Sequence, residues 1–150
     1  MKSARIALVA AATTLALAPS IASANWDYSR WGMTPAQVIA ASKGAAKPQP
    51  LDYGDSIGAN QFLASADHQM GPHAFKTEFY FENGAALALI RLTLKDSAGC
   101  DRLEGDLVKR YGPRSPSGRY FWIDKTSGDV ITFSDDRGSR MSCRLVYKRP

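Results

Sequence analysis

Cysteine and histidine are scarce in this chain of 150 residues, with two of each. No Cys-x-x-Cys or His-x-x-x-His spacing occurs, so the common zinc-ligand patterns have no footing. No Gly-x-Ser-x-Gly elbow, a serine nucleophile on a strand-to-helix turn, is expected. Gly54 and Gly58 lack the lysine context of a phosphate-cradling loop. The only long apolar run lies within the first 24 residues, and no later one approaches the roughly 20 residues of a membrane span. Charge of one sign is also thin. Lys and Arg number 19 against 14 Asp and Glu, a net of +5, well short of a nucleic-acid-binding composition.

What the chain does have begins with Lys2 and Arg5, the apolar run Ile6–Ala18, and the small residues Ala22-Ser23-Ala24. That is the three-part form of a secretory leader, with cleavage between Ala24 and Asn25. Pro19 and Ser20 interrupt the run too early for a transmembrane helix. Asn25 offers no thiol for a lipid anchor. Residues 25–150 are therefore expected as one exported domain, periplasmic or secreted, with no integral membrane segment. Its charge is uneven: six Lys/Arg against seven Asp/Glu over 25–100, and eleven against seven over 101–150.

"WGMTPAQVIAAS" reads as a helix start. Thr34 is an N-cap, Pro35 suits the first helical position, and Gln37 completes a capping box. Met33 and Val38 occupy the staple positions. The helix is expected to reach about Ser42, with Gly44 as its stop and "GAAKPQP" as a linker. A second helix is written in "SAGCDRLEGDLVKRYGP", where Cys100, Leu103, Leu107 and Tyr111 share one face and Gly112-Pro113 ends it. "FKTEFYFENGAALALIRLTL" reads as a hairpin with a two-residue turn at Asn83-Gly84. "RYFWI", "DVITFS" and "SRMSCRLVYK" read as a three-strand meander. Weaker strands are expected around Tyr53 and Phe62. In the last strand Met141, Cys143, Leu145 and Tyr147 alternate with Arg140, Arg144 and Lys148. Cys143 and Cys100 thus both belong to apolar faces, and export favours their pairing as a disulfide. The expected fold is α+β: two tandem modules, about 25–96 and 97–150, each a helix on an antiparallel sheet segment, sharing one core.

Gly32-Met33-Thr34-x-x-x-Val38 resembles the helix start of BamE/SmpA-type envelope proteins and of the β-lactamase-inhibitor-protein-like superfamily. Tyr111-Gly112-Pro113 resembles the way such a helix ends, whereas Gly44 and Pro48 stand too far apart for that pattern. The resemblance implies a tandem helix-plus-sheet fold with a binding or assembly role. It assigns no binding residue.

Candidate sites each have a structural alternative. His68 and His73, with Asp67, form a possible metal set, but their spacing across Gly71-Pro72 suits a polar loop between strands. Asp135-Asp136 has turn composition, and neighbouring turn residues point apart. Trp26, Tyr28 and Trp31 suit either an aromatic platform or a pin holding the first segment on the sheet, and the pin is the expectation. Trp122 is expected in the core. Arg140, Arg144 and Lys148, with Arg137 and Arg149 near, form a basic stripe that is a candidate surface for a protein or an anionic envelope component, or else a solvated strand face. The function expected is a non-catalytic exported binding module without cofactor or metal. The alternatives are a small hydrolase without a recognisable motif and a purely structural envelope protein.

Overall fold

The computed structural model describes residues 26–51, 56–115, 120–139 and 142–150. The expected leader with its Ala24–Asn25 bond, Tyr53, Arg140 and Met141 lie outside the described residues. Helix α1 (Pro35–Ala41) starts where its capping residues place it. Thr34 Oγ1 accepts from the Gln37 amide at 3.3 Å, and Gln37 Oε1 accepts from the Thr34 amide at 2.9 Å. Two otherwise orphaned first-turn donors are satisfied reciprocally. The chain leaves α1 through Gly44 at φ 90°, an angle glycine adopts without a Cβ clash. Part of the expected linker then becomes strand β1 (Lys47–Pro48), paired with Ser65 and Ala64. Proline is tolerated there because β1 lies at the sheet edge.

β2 (Ser56–Ile57) pairs with the start of β3 (Asn60–Met70), which turns into β4 (His73–Glu82) and then β5 (Ala86–Leu94). Two expectations are corrected here. "SADHQMGPHAF" is no loop: it is a hairpin end in which His68 pairs with Phe75 and Met70 with His73. Asn83 and Gly84 do take positive φ, 49° and 74°, but Ala85 lengthens the connection, and the Gly84 and Ala85 amides donate to the carbonyls of Phe81 and Glu82.

A 3-10 turn at Ser97–Gly99, capped by Asp96, leads into α2 (Cys100–Tyr111), which ends at Gly112 with φ 99°. Cys100, Leu103 and Leu107 are its buried residues. β6 (Tyr120–Ile123), β7 (Val130–Ser134) and β8 (Arg144–Lys148) follow as an antiparallel meander. In place of two sheet segments the described residues form one eight-stranded sheet, ordered β1-β3-β4-β5-β8-β7-β6, with β2 off this path on β3. The strands of the two halves join through β5 and β8, from Leu89–Lys148 to Thr93–Arg144.

One core results. Val38 of α1, Leu103 and Leu107 of α2, and Phe79, Ile90, Ile131 and Leu145 of the sheet belong to a single buried cluster. The Cys100–Cys143 disulfide, with Cα atoms 5.9 Å apart, ties the start of α2 to the residue before β8. Closing that loop stabilises by roughly 2–4 kcal/mol in the chain-entropy account. Tyr80 and Leu89 are buried outside this cluster. The Phe62 ring lies 5.6 Å from that of Tyr80, and the Arg91 guanidinium lies 5.0 Å from it. Among the described residues, no helix is long and apolar enough to cross a membrane.

Candidate functional site

Two indole N–H groups hold the end of α2, the N-terminal segment and the β6–β7 connection together. Trp31 Nε1 donates to Asp129 Oδ1 at 2.6 Å, and Trp122 Nε1 donates to the Gly112 carbonyl at 3.0 Å. The connection itself is a tight turn. Asp124 Oδ1 accepts from the Thr126 and Ser127 amides at 2.8 and 3.2 Å, and Gly128 closes it at φ 75°. This is the local chemistry that makes aspartate a turn former.

Between these parts lies a half-open cleft of about 380 Å3. Trp26, His68, Tyr111 and Tyr147 form its aromatic lining, and Asp27, Arg110, Asp124, Ser127 and Asp129 its polar lining. The Trp26 ring sits 4.3 Å from that of His68 and 5.9 Å from that of Tyr147. Burial lowers the His68 pKa against the opposing pull of Asp27, which favours the neutral imidazole. Burial pushes the hydroxyls of Tyr147 and Tyr111 above the ordinary phenol range, with Tyr111 adding to the shift on Tyr147. Among the described residues, three carboxylates and one cation, Arg110, line the cleft. Arg110 is exposed and places its guanidinium 5.1 Å from the Tyr111 ring centre. Among the described residues no ion pair forms at Asp27, Asp124, Asp129 or Arg110, although Asp129 is only 3% exposed.

The residues singled out from sequence go to different places. Asp67 pairs with Lys95 at 2.7 Å, the His68 ring packs at a tilt of 49° against Trp26, and His73 Nε2 lies 2.9 Å from Asp106 Oδ2. The suggested metal set is thus divided among three partners, and no cluster suited to a metal ion occurs among the described residues. The His73 contact joins β4 to α2 and holds the Asp106 carboxyl below its usual range. Asp135 and Asp136 do point apart, to Arg137 and Arg144 respectively. Of the basic stripe, Arg144 donates to Asp136 at 2.8 Å while Lys148 is exposed. Trp26, Trp31 and Trp122 are buried, and Trp26 also lines the cleft.

Gly54-Asp55-Ser56-Ile57-Gly58 has the Gly-x-Ser-x-Gly spacing, against the expectation that none is present. The context of an elbow is missing. Ser56 is an exposed residue of β2, paired with Gln61, and the chain continues into β3 rather than a helix. At about 3.3 Å per residue along β3, Gln61 lies roughly 20 Å from His68, too far for Ser56 to share a base with it.

Sequence reasoning did not reach the cleft. "DKTSGD" marks Asp124 and Asp129 as turn residues, but nothing in that stretch signals that Trp31, 98 residues away, bonds to Asp129. Asp27 and Arg110 carry no pattern that separates them from other surface charges. No family model, curated protein or solved structure matches this chain.

Proposed function

We propose that the chain is an exported, non-catalytic binding module, and that the cleft between Trp26 and Tyr147 receives a group of a protein or envelope component. The observation that carries this reading is the make-up of the cleft, in which aromatic walls and several polar groups converge on one half-open space. Such convergence is the usual form of a binding pocket. The leader-like residues 1–24 and the Cys100–Cys143 bridge support export, since disulfides persist in oxidising compartments. The Gly32-Met33-Thr34 helix start supports kinship with small envelope proteins. In this reading 25–96 and 97–150 repeat a helix-then-strands pattern within one binding unit.

The hydrolase alternative has one observation in its favour, because Ser127 and His68 line the same cleft. Yet Ser127 Oγ accepts from the Asp129 amide at 3.3 Å, and no hydrogen bond joins it to His68 among the described residues. The basic stripe is the second candidate surface. It is weakened by the Arg144–Asp136 ion pair, which already occupies one of its charges.

Affinity capture from the exported fraction tests the reading, using wild type, Arg144→Gln/Lys148→Gln, and Arg110→Trp, which lays an indole across the cleft mouth. The cleft reading expects capture to survive the double change and to fail with Arg110→Trp in a protein that melts normally. The reverse pattern moves binding to the stripe. Ester or amide hydrolysis that disappears in Ser127→Ala overturns the non-catalytic reading.

A further inference from the structure

We propose that the group received by this cleft is an organic cation, an alkylammonium or a guanidinium. The inference rests on the binding reading above and adds the chemistry of the ligand. Its ground is a charge imbalance that the side chains of the described residues leave unmet. Asp129 is 3% exposed, its Oδ1 accepts from the neutral indole N–H of Trp31, and no cation pairs with it among the described residues. A nearly buried carboxylate that meets a neutral indole and no cation is better matched by a cation in the adjoining space. Asp124 spends Oδ1 on its own turn, while no hydrogen bond occupies Oδ2 among the described residues. Asp27 adds a third carboxylate at the exposed rim.

The walls suit the same ligand. Trp26, Tyr111 and Tyr147 present π systems, which attract ammonium and guanidinium groups. The chain contains an internal example, the Arg110 guanidinium 5.1 Å from the Tyr111 ring centre. Arg110 is exposed and makes no ion pair among the described residues, so it is free to swing aside. Burial disfavours a charge on His68. An anionic ligand meets three carboxylates and one arginine, which is the wrong balance.

The experiment is calorimetric titration of the purified protein, with tryptophan emission as a second signal. The probes are butylammonium, butylguanidinium, 1-butanol, butyrate and a short lysine–arginine peptide, each taken to about 10 mM. Both cations should saturate, with butanol and butyrate at least roughly tenfold weaker. Asp124→Asn keeps the turn acceptor and removes the charge, and should weaken cation binding by roughly three- to tenfold. Arg110→Gln removes the resident cation and should strengthen it, a direction that a merely structural role does not give. A peptide that outcompetes both small cations identifies a protein side chain as the source, whereas equal or weaker peptide binding identifies a free amine. Butyrate binding as well as the cations, or Arg110→Gln weakening them, overturns the cation inference and leaves the cleft as a binding site. Silence from every probe, together with loss of capture only on changing Arg144 and Lys148, overturns both.

Discussion

Arg137 donates to Asp101 Oδ1 at 2.6 Å and to Asp135 Oδ2 at 2.5 Å, linking the segment after β7 to the first turn of α2. The contact lowers the Asp135 carboxyl from 3.8 to about 2. A folded value below the unfolded one gives stability that is complete above the unfolded value and disappears as pH falls through the folded one. Urea midpoints of wild type and Arg137→Gln should therefore differ at pH 5 and converge toward pH 2. The difference should be modest, because solvent screens exposed pairs. A gap that persists at pH 2 assigns the effect to packing of the arginine stem instead. At this scale the sequence is legible only where neighbours act on each other. The divergence of Asp135 and Asp136 follows from turn composition, but the choice of Arg137 and Arg144 as their partners does not.

Helix α1 shows how far local chemistry reaches. Thr34, Pro35 and Gln37 each have a reason within four residues of chain, and the cap forms as those reasons require. Thr34→Ala should lower stability by about 1 kcal/mol, read from urea unfolding. Because Thr34 is not part of the cleft lining, ligand affinity should be unchanged. Altered affinity in a protein with normal stability gives the Gly32-Met33-Thr34 motif a role of its own. β3 is the opposite case. Its inward positions include Ala64 and Ala66, and Ser65, Asp67 and Gln69 alternate with them. Small inward residues give almost no hydrophobic periodicity, so the strand is made by its pairing with β4 rather than by its own pattern. β1 has the same origin: two residues of a linker are drawn into the sheet by β3.

For the whole molecule, the α+β class, both helices and the disulfide pairing follow from period, capping and the facing of the cysteines. The sheet order does not. The β5–β8 pairing joins residues about 55 apart in sequence, since Leu89 meets Lys148 and Thr93 meets Arg144. No turn signal can announce such a contact. The cleft was hidden for the same reason, because its lining runs from Trp26 to Tyr147 and exists only once the sheet is closed. A single buried cluster drawn from both halves predicts one cooperative transition. Tryptophan emission and far-ultraviolet circular dichroism should report the same thermal midpoint, and a fragment of residues 97–150 should lack stable structure alone. A fragment that melts cooperatively shows that the halves are separable modules.

The strand synthesised last of the eight, β8, fills a middle position, between β5 and β7. A polypeptide appears at the ribosome, or crosses a translocation pore, in order from its N-terminal end. β3, β4 and β5 can zip together as they emerge, and β6 can pair with β7, but the β6–β7 pair cannot join the first group until β8 lies between β5 and β7. Cys143 likewise reaches Cys100 only after β6 and β7, which lie between the two cysteines, have emerged. Closure of the sheet thus waits for β8, although every strand pair that does not include β8 can form before it.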